Sequence, residues 1–236
     1  MLFESGHRPD AGAVARASAL RAETTGFSIS NRYGKRPGQI ELLAMGLTYD
    51  LSGLAPGESA PFQRGEQLYG CDSAIWAGAP EAIRITPGPH LGSAARMPPV
   101  LRVLAGLGTE LARLPGLRAV SWGPAQSWMS ASYFSGIVRA WLLGGAFPAL
   151  GLTALLRGAD GNLLSRGLSV FAGFEIELIG APGESPQERV RLASRLIHVL
   201  ATEGEEAIPA LADEAGHPLQ SEFDPPRRLL RLWRTS

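Results

Sequence analysis

From Pro98 onward the apolar residues Val100, Val103, Leu104, Leu107, Leu111 and Leu114 recur at three- and four-residue steps, with Arg102, Thr109 and Arg113 on the opposite side. This spacing predicts an amphipathic helix, opened by two prolines and stopped at Pro115-Gly116. Gly106 and Gly108 should each weaken it by about 1 kcal/mol relative to alanine. The same period returns over 186–203, where Val190, Leu192, Ala193, Leu196, Ile197, Val199 and Leu200 form one side. There Ser185 can cap, Pro186 fills the first turn, Glu188 completes a capping box, and Gly204 supplies the stop; the cap is worth about 1 kcal/mol. Between these two, residues 130–143 carry Tyr133, Phe134, Ile137, Val138, Trp141 and Leu142 with little polar face, which predicts a largely buried helix ended by Gly144-Gly145.

Alternation with a period of two marks the strands. Phe27 to Ile29, Ile40 to Leu42, Leu47 to Tyr49, Ala82 to Thr86 and Leu117 to Trp122 read as strands, and Leu150 to Leu156 with Leu163 to Phe171 flank the turn signal Gly158-Ala-Asp-Gly161 as a hairpin. Phe174-Glu-Ile-Glu-Leu178 is the clearest alternating strand. Strand, helix and strand over 82–122 favour a crossover between parallel strands. Residues 1–24 read as a short helix or a mobile arm, 53–80 as a turn-rich stretch separating an N-terminal β portion from the rest, and Asp224 to Arg234 as a short helix or an edge strand. The expected architecture is α+β: a mainly antiparallel sheet with helices packed on one face, of split β-α-β type, plus a small N-terminal β segment. The segment spans 1–74, in the same domain or beside it, and the main α+β domain spans 75–236.

Composition narrows this picture. With 29 glycines and 18 prolines in 236 residues the chain is loop-rich, yet 45% hydrophobic residues suffice for a core. Twenty-two basic residues balance 22 acidic ones, so no overall field draws the chain to nucleic acid or to an anionic membrane. The uncharged stretch Ala140 to Leu156 falls short of a bilayer span and is interrupted by Gly144-Gly145 and Pro148, which favours a buried helix–turn–strand. The N-terminus lacks the apolar run of a secretory signal, and a single cysteine, Cys71, permits no intramolecular disulfide; a cytoplasmic setting is the simpler expectation. Lys35 is the only lysine and sits in a loop, Tyr33-Gly-Lys-Arg-Pro37.

Candidate chemistry is sparse. Glu175 and Glu177 alternate with apolar residues, so in a strand both carboxylates share a face, about 6.6–7 Å apart at Cα, as an acid/base pair or metal ligands require; a solvated acidic face is the plain alternative. His90 follows a strand in Pro87-Gly-Pro-His90, a site position without an assignable partner, and His198 lies on a polar helix face expected at the surface. Cys71 has no nucleophile signature and reads as a small apolar residue. No phosphate loop, dinucleotide loop or G-x-S-x-G elbow is present, so neither a cofactor nor a metal is expected. Trp122, Trp128 and Tyr133 concentrate aromatic mass around Trp122-Gly-Pro-Ala-Gln-Ser-Trp128, either as core or as a recognition groove, with Trp128 the expected exposed member after its Gly-Pro turn.

Ala119-Val-Ser-Trp122, Phe134, Leu152-Thr-Ala-Leu-Leu156 and Arg166-Gly-Leu168 with Phe171 and Phe174-Glu-Ile-Glu177 resemble an uncharacterised bacterial domain-of-unknown-function family. The resemblance covers roughly residues 75–203 and is sharpest in the Gly-Leu, Phe, Glu-Ile-Glu sequence before the capped helix. It implies no reaction, ligand or catalytic residue. The leading expectation is therefore a non-catalytic protein that binds another protein, an accessory or immunity-type factor, through Trp122, Trp128 and Tyr133 or through the Glu175/Glu177 face. The alternative is a metal-dependent or carboxylate-based hydrolase using Glu175 and Glu177 as acid/base groups or metal ligands, with His90 nearby. Nucleic acid and membrane are not expected partners, and oligomeric state is not legible.

Overall fold

The computed structural model describes residues 1–32, 37–181 and 183–234, so the expectation for Lys35 lies outside the described residues. The chain forms two compact units, Met1–Ser121 with Trp128–Gly145, and Trp122–Ser127 with the chain from Ala146 onward. Both are α+β and built mainly of antiparallel pairings. The strands form three sheets rather than one.

In the first unit β1 (Leu2–Phe3), α1 (Ala11–Ser18), β2 (Ser28–Arg32), β3 (Gln39–Ala44), β4 (Leu47–Ser52), β5 (Gln67–Tyr69), β6 (Glu81–Ala82) and β7 (Arg84–Pro87) precede α2 (Pro98–Leu111), β8 (Leu117–Trp122), β9 (Ser127–Met129) and α3 (Ala131–Leu142). One sheet is a meander in the order β2-β3-β4-β7. The other runs β5-β9-β8-β1-β6. Residues 1–24 thus hold a strand as well as a helix, and the strand is interior: Leu2 pairs with Ala82 on one side and Ala119 on the other, both antiparallel. Because β6 and β8 both oppose β1, they are parallel to one another, joined through α2 with β1 between them; this is the split β-α-β order.

The α2 helix is buried over most of its surface, and Thr109, expected on a polar face, is 3% exposed and its neighbour Glu110 4%. The covering segment is 23–25. Glu110 Oε1 accepts from the backbone N–H groups of Glu23 (2.9 Å), Thr24 (2.6 Å) and Thr25 (3.3 Å) and from Thr24 Oγ1 (2.9 Å), while Arg113 donates to Oε2 (3.2 Å). Gly106 and Gly108 weaken the helix in isolation but permit this packing: a Cβ at Gly106 would fall 2.0 Å from Thr25 Oγ1, and one at Gly108 2.9 Å from Phe134 Cζ on α3. The α3 helix buries Phe134, Val138 and Trp141 but leaves Tyr133 and Ile137 half-buried, so it is less enclosed than its composition predicts.

The turn-rich stretch 53–80 contributes to the core of the first unit. Ala60 and Ile75 close over Leu2, Ala82, Ala119 and Trp128 to form a core cluster, flanked by Phe62, Leu68, Cys71 and Trp76.

The second unit contains β10 (Ala154–Arg157), β11 (Leu163–Arg166), α4 (Ser169–Ala172), β12 (Glu175–Leu178), α5 (Pro186–Glu203), β13 (Leu219–Asp224) and β14 (Leu229–Arg234). Its sheet has the order β10-β11-β12-β14-β13, with β12 and β14 parallel and joined through α5. The predicted capping box is formed: Glu188 N donates to Ser185 Oγ (3.2 Å) and Ser185 N to Glu188 Oε2 (2.9 Å). Leu192, Ala193, Leu196, Ile197 and Leu200 are buried, as are Ile176, Leu178, Leu230 and Leu232 of the sheet. The tail is neither a helix nor an edge strand at Leu229–Arg234: β14 lies inside the sheet, because Leu230 and Leu232 alternate with Arg231 and Trp233 and pair in register with Ile176 and Leu178. Glu184 ties the preceding loop to β14 by accepting from Arg189 Nε (3.0 Å) and from Arg234. Among the described residues no helix is long and apolar enough to cross a membrane.

Candidate functional site

Glu175 stands at the start of β12, after a tight turn that runs from Gly167 to Gly173, both with positive φ. Its carboxylate bends back over that turn and accepts four hydrogen bonds, from Ser165 Oγ (2.5 Å) and from the backbone N–H groups of Gly167 (2.9 Å), Leu168 (3.2 Å) and Ser169 (3.1 Å). Ser165 Oγ in turn accepts from Ile176 N (2.8 Å). The carboxylate therefore closes the N-terminal end of α4, and its lone pairs are engaged inside the fold. The rest of the Gly-Leu, Phe, Glu-Ile-Glu sequence serves the same turn. A Cβ at Gly167 would meet Ala125 N at 2.9 Å, Leu168 and Phe174 are fully buried, and Phe171 stacks on Trp122 (6.2 Å, 18°) and meets Phe147 edge-on (4.7 Å, 71°). Glu175→Gln is expected to lower stability by about 1–3 kcal/mol through loss of charge-assisted bonds, read as a shift in urea midpoint; an unchanged midpoint would free Glu175 for another role.

Glu177 lies one pleat on. Its Oε2 accepts from Arg231 Nε (3.1 Å) and its Oε1 from Asn162 Nδ2 (3.2 Å). Arg231 also lies 3.9 Å from Glu222 Oε2, so Glu177, Arg231 and Glu222 form a ladder across β12, β14 and β13. Around it on the same sheet face stand Leu164, opposite Glu177 on β11, with Gln220 and Trp233, which pair with each other one step along. Leu164, Gln220 and Glu222 are exposed, and Trp233 is half-buried. Sequence reasoning missed Leu164 and Glu222 here, and it read Arg231 as a docking candidate of the tail and Trp233 as packing down, without placing either beside Glu177. The signal was the alternation of Leu230 and Leu232 with Arg231 and Trp233.

The aromatic residues are placed differently from the expectation of an exposed groove. Trp128 is 3% exposed, with its ring edge-on to Trp76 (5.0 Å, 87°) and Phe62 (6.0 Å, 79°) and its Nε1 donating to Gln63 O (3.2 Å). The turn before it exposes Gly123, Pro124 and Gln126, but it turns both tryptophans inward. Trp122 is 6% exposed, and its Nε1 has no hydrogen-bond partner among the described residues. Tyr133 is half-buried and stacked on Tyr69 (5.8 Å, 13°). Burial raises the Tyr133 phenol, and burial followed by the neighbouring Tyr133 pushes Tyr69 up to about 12.

His90 is exposed and pairs through Nε2 with Thr48 Oγ1 (3.1 Å); it belongs to the first unit, whereas Glu175 and Glu177 belong to the second. His198 is half-buried rather than on the surface. Its Nδ1 accepts from Phe147 N (3.0 Å), which places the ring proton of the neutral form on Nε2. Burial pushes the Cys71 thiol up, consistent with a packing role. A groove of about 220 Å³ runs between α1 and the end of α2, with Arg16 and Arg113 at its rim, but the Glu110 carboxylate beside it is occupied by segment 23–25. Among the described residues no three His, Cys, Asp or Glu side chains converge as a metal site would need. Comparison with models of protein families, with curated proteins and with solved structures finds no match for this chain.

Proposed function

We propose that this chain is a non-catalytic accessory or immunity-type protein of the bacterial cytoplasm that binds another protein through the Glu177 face of its second sheet, and that it belongs with the bacterial family its Gly167-to-Glu177 segment resembles. The observation that carries the reading is the engagement of Glu175 by four internal donors, which leaves an open face of Leu164, Glu177, Arg231, Glu222 and Trp233 in place of a carboxylate pair. That face mixes aromatic and aliphatic surface with charge, which suits a protein partner better than a small molecule. Its ladder carries two carboxylates to one guanidinium, so the partner presents a basic side chain among apolar ones. The single cysteine accords with a reducing compartment.

The test is capture from native lysate with the wild-type chain and with Leu164→Arg, a surface change that keeps the circular dichroism spectrum. One enriched protein that is lost with Leu164→Arg, and whose binding weakens as salt rises, is the expected result. Binding unchanged in that variant would overturn this surface.

A further inference from the structure

The groove between α1 and the end of α2 lies wholly in the first unit. Its apolar lining is Ala13, Ala17 and Leu20 from the α1 side and Leu114 and Pro115 from the α2 side, and its volume is about 220 Å³. Leu20, just past the last turn of α1, is 56% exposed, so apolar surface stands open here without a neighbour to cover it. The walls are fixed in place. Glu110 on α2 accepts the N–H groups of Glu23, Thr24 and Thr25, and Arg113 Nη1 donates to Arg21 O (3.1 Å), so the chain leaving α1 is pinned against α2. A groove held in this way is formed before its ligand arrives, which spares the ligand the cost of ordering it.

Two guanidinium groups complete the lining, and they differ in what holds them. Arg113 is committed, donating to Glu110 Oε2 (3.2 Å) and to Arg21 O. The Arg16 guanidinium has no hydrogen-bond or ion-pair partner among the described residues. Glu110 is the one anion of the lining, and its Oε1 is filled by segment 23–25 and its Oε2 by Arg113, so the groove carries a single uncompensated positive charge beside an apolar surface. We infer that this groove binds an aliphatic monocarboxylate, with its carboxylate on Arg16 and its tail against Ala13, Ala17, Leu20 and Leu114. One net charge matches a carboxylate rather than a phosphate dianion, and a planar guanidinium fits the two carboxylate oxygens. A dry cavity of about 150 Å³ takes the six carbons of benzene, so 220 Å³ takes a tail of about nine carbons. Neither an aromatic ring nor a hydroxyl lines the groove among the described residues, so a sugar or a nucleobase would find nothing to stack on and little to bond with. The site lies in the first unit, whereas the Leu164 face belongs to the second, and it does not rest on the protein-binding reading.

Calorimetric titration of the full chain with sodium octanoate is expected to show a single saturable site. Affinity rises from butanoate upward by as much as about fourfold per methylene and levels off near a tail of about nine carbons. Octanol, which has the same tail and no charge, binds about tenfold more weakly or worse. Arg16→Gln, at an exposed position with no partner to lose, weakens octanoate binding by about tenfold while the melting temperature is kept. Leu20→Gln at the open side of the groove weakens it several-fold, and Leu164→Arg leaves it unchanged. Octanoate that shows no saturable binding, an affinity indifferent to tail length or to the carboxylate, or one unchanged in Arg16→Gln overturns the proposal.

Discussion

Trp128→Ala will destabilise the first unit by about 3–5 kcal/mol, the range for removing a fully buried large aromatic. The side chain is 3% exposed, and it is the member of the core cluster that Phe62 and Trp76 both contact edge-on. Truncation removes both aromatic contacts, leaves Gln63 O without its indole donor, and opens a cavity under residues 60–76 that the short strands β1 and β6 cannot close. Thermal unfolding followed by circular dichroism should show a midpoint lower by roughly 6–20 °C. Trp128→Phe, which keeps the ring and loses only the N–H and part of the volume, should recover more than half of the difference. A loss below about 1 kcal/mol for the alanine variant would mean that the ring is not the anchor of this cluster. A binding experiment that uses Trp128→Ala therefore reads folding, not recognition.

Glu110→Gln carries the second large effect. Burial of Glu110 by itself raises its carboxyl, but the Thr24 N–H, the Thr24 hydroxyl and the Thr25 and Glu23 N–H groups together outweigh burial and hold it below the usual carboxylate range. A carboxyl depressed in the folded state stabilises fully above its unfolded value, about 4.3, and that stabilisation fades as pH falls from there through the folded value. At neutral pH Glu110→Gln should cost about 2–4 kcal/mol, because the amide is uncharged and points an NH2 group toward Arg113 or toward the three backbone donors. Below the usual carboxylate range the gap between wild type and variant should narrow, since the wild type loses the same charge by protonation. Urea midpoints across an acid series test this. A gap that stays constant with pH would show that the bonds to segment 23–25 do not depend on the charge.

Where local chemistry decided the structure, it was legible in the chain. Ser185, Pro186 and Glu188 specify the start of α5 without outside help, and Gly158 to Gly161 specify the turn between β10 and β11. The α+β class and the split β-α-β order followed from the succession of elements. Long-range pairing decided the rest. Leu229 to Arg234 satisfies a helical and an alternating pattern at once, and only the parallel register with β12 selects the strand. Thr109 reads as exposed on α2, with Arg102 and Arg113, because nothing near it in sequence announces that residues 23–25 will cover that side. The Glu175/Glu177 pair was correctly placed on one strand, but the turn that engages Glu175 depends on positive φ at Gly167 and Gly173, which two glycines in a loop do not by themselves signal. Trp128 followed a Gly-Pro turn, a local cue for exposure, and the residues that bury it come from a stretch more than fifty positions earlier.

The interior position of β1 has a consequence for the order of events during synthesis. Leu2 leaves the ribosome before the strands it pairs with, and one of those partners, Ala119, follows 117 residues later. At a translation rate of about 5–20 residues per second, that strand waits roughly 6–23 s for its neighbour. During this interval Leu2 and Phe3, both fully buried in the finished fold, have only Glu81 and Ala82 to pair with. The meander β2-β3-β4-β7 is complete by residue 87 and can condense ahead of the other sheet. The nascent chain therefore passes through a stage in which one sheet is formed and an apolar strand awaits closure, and it is at this stage that holding chaperones would find their target.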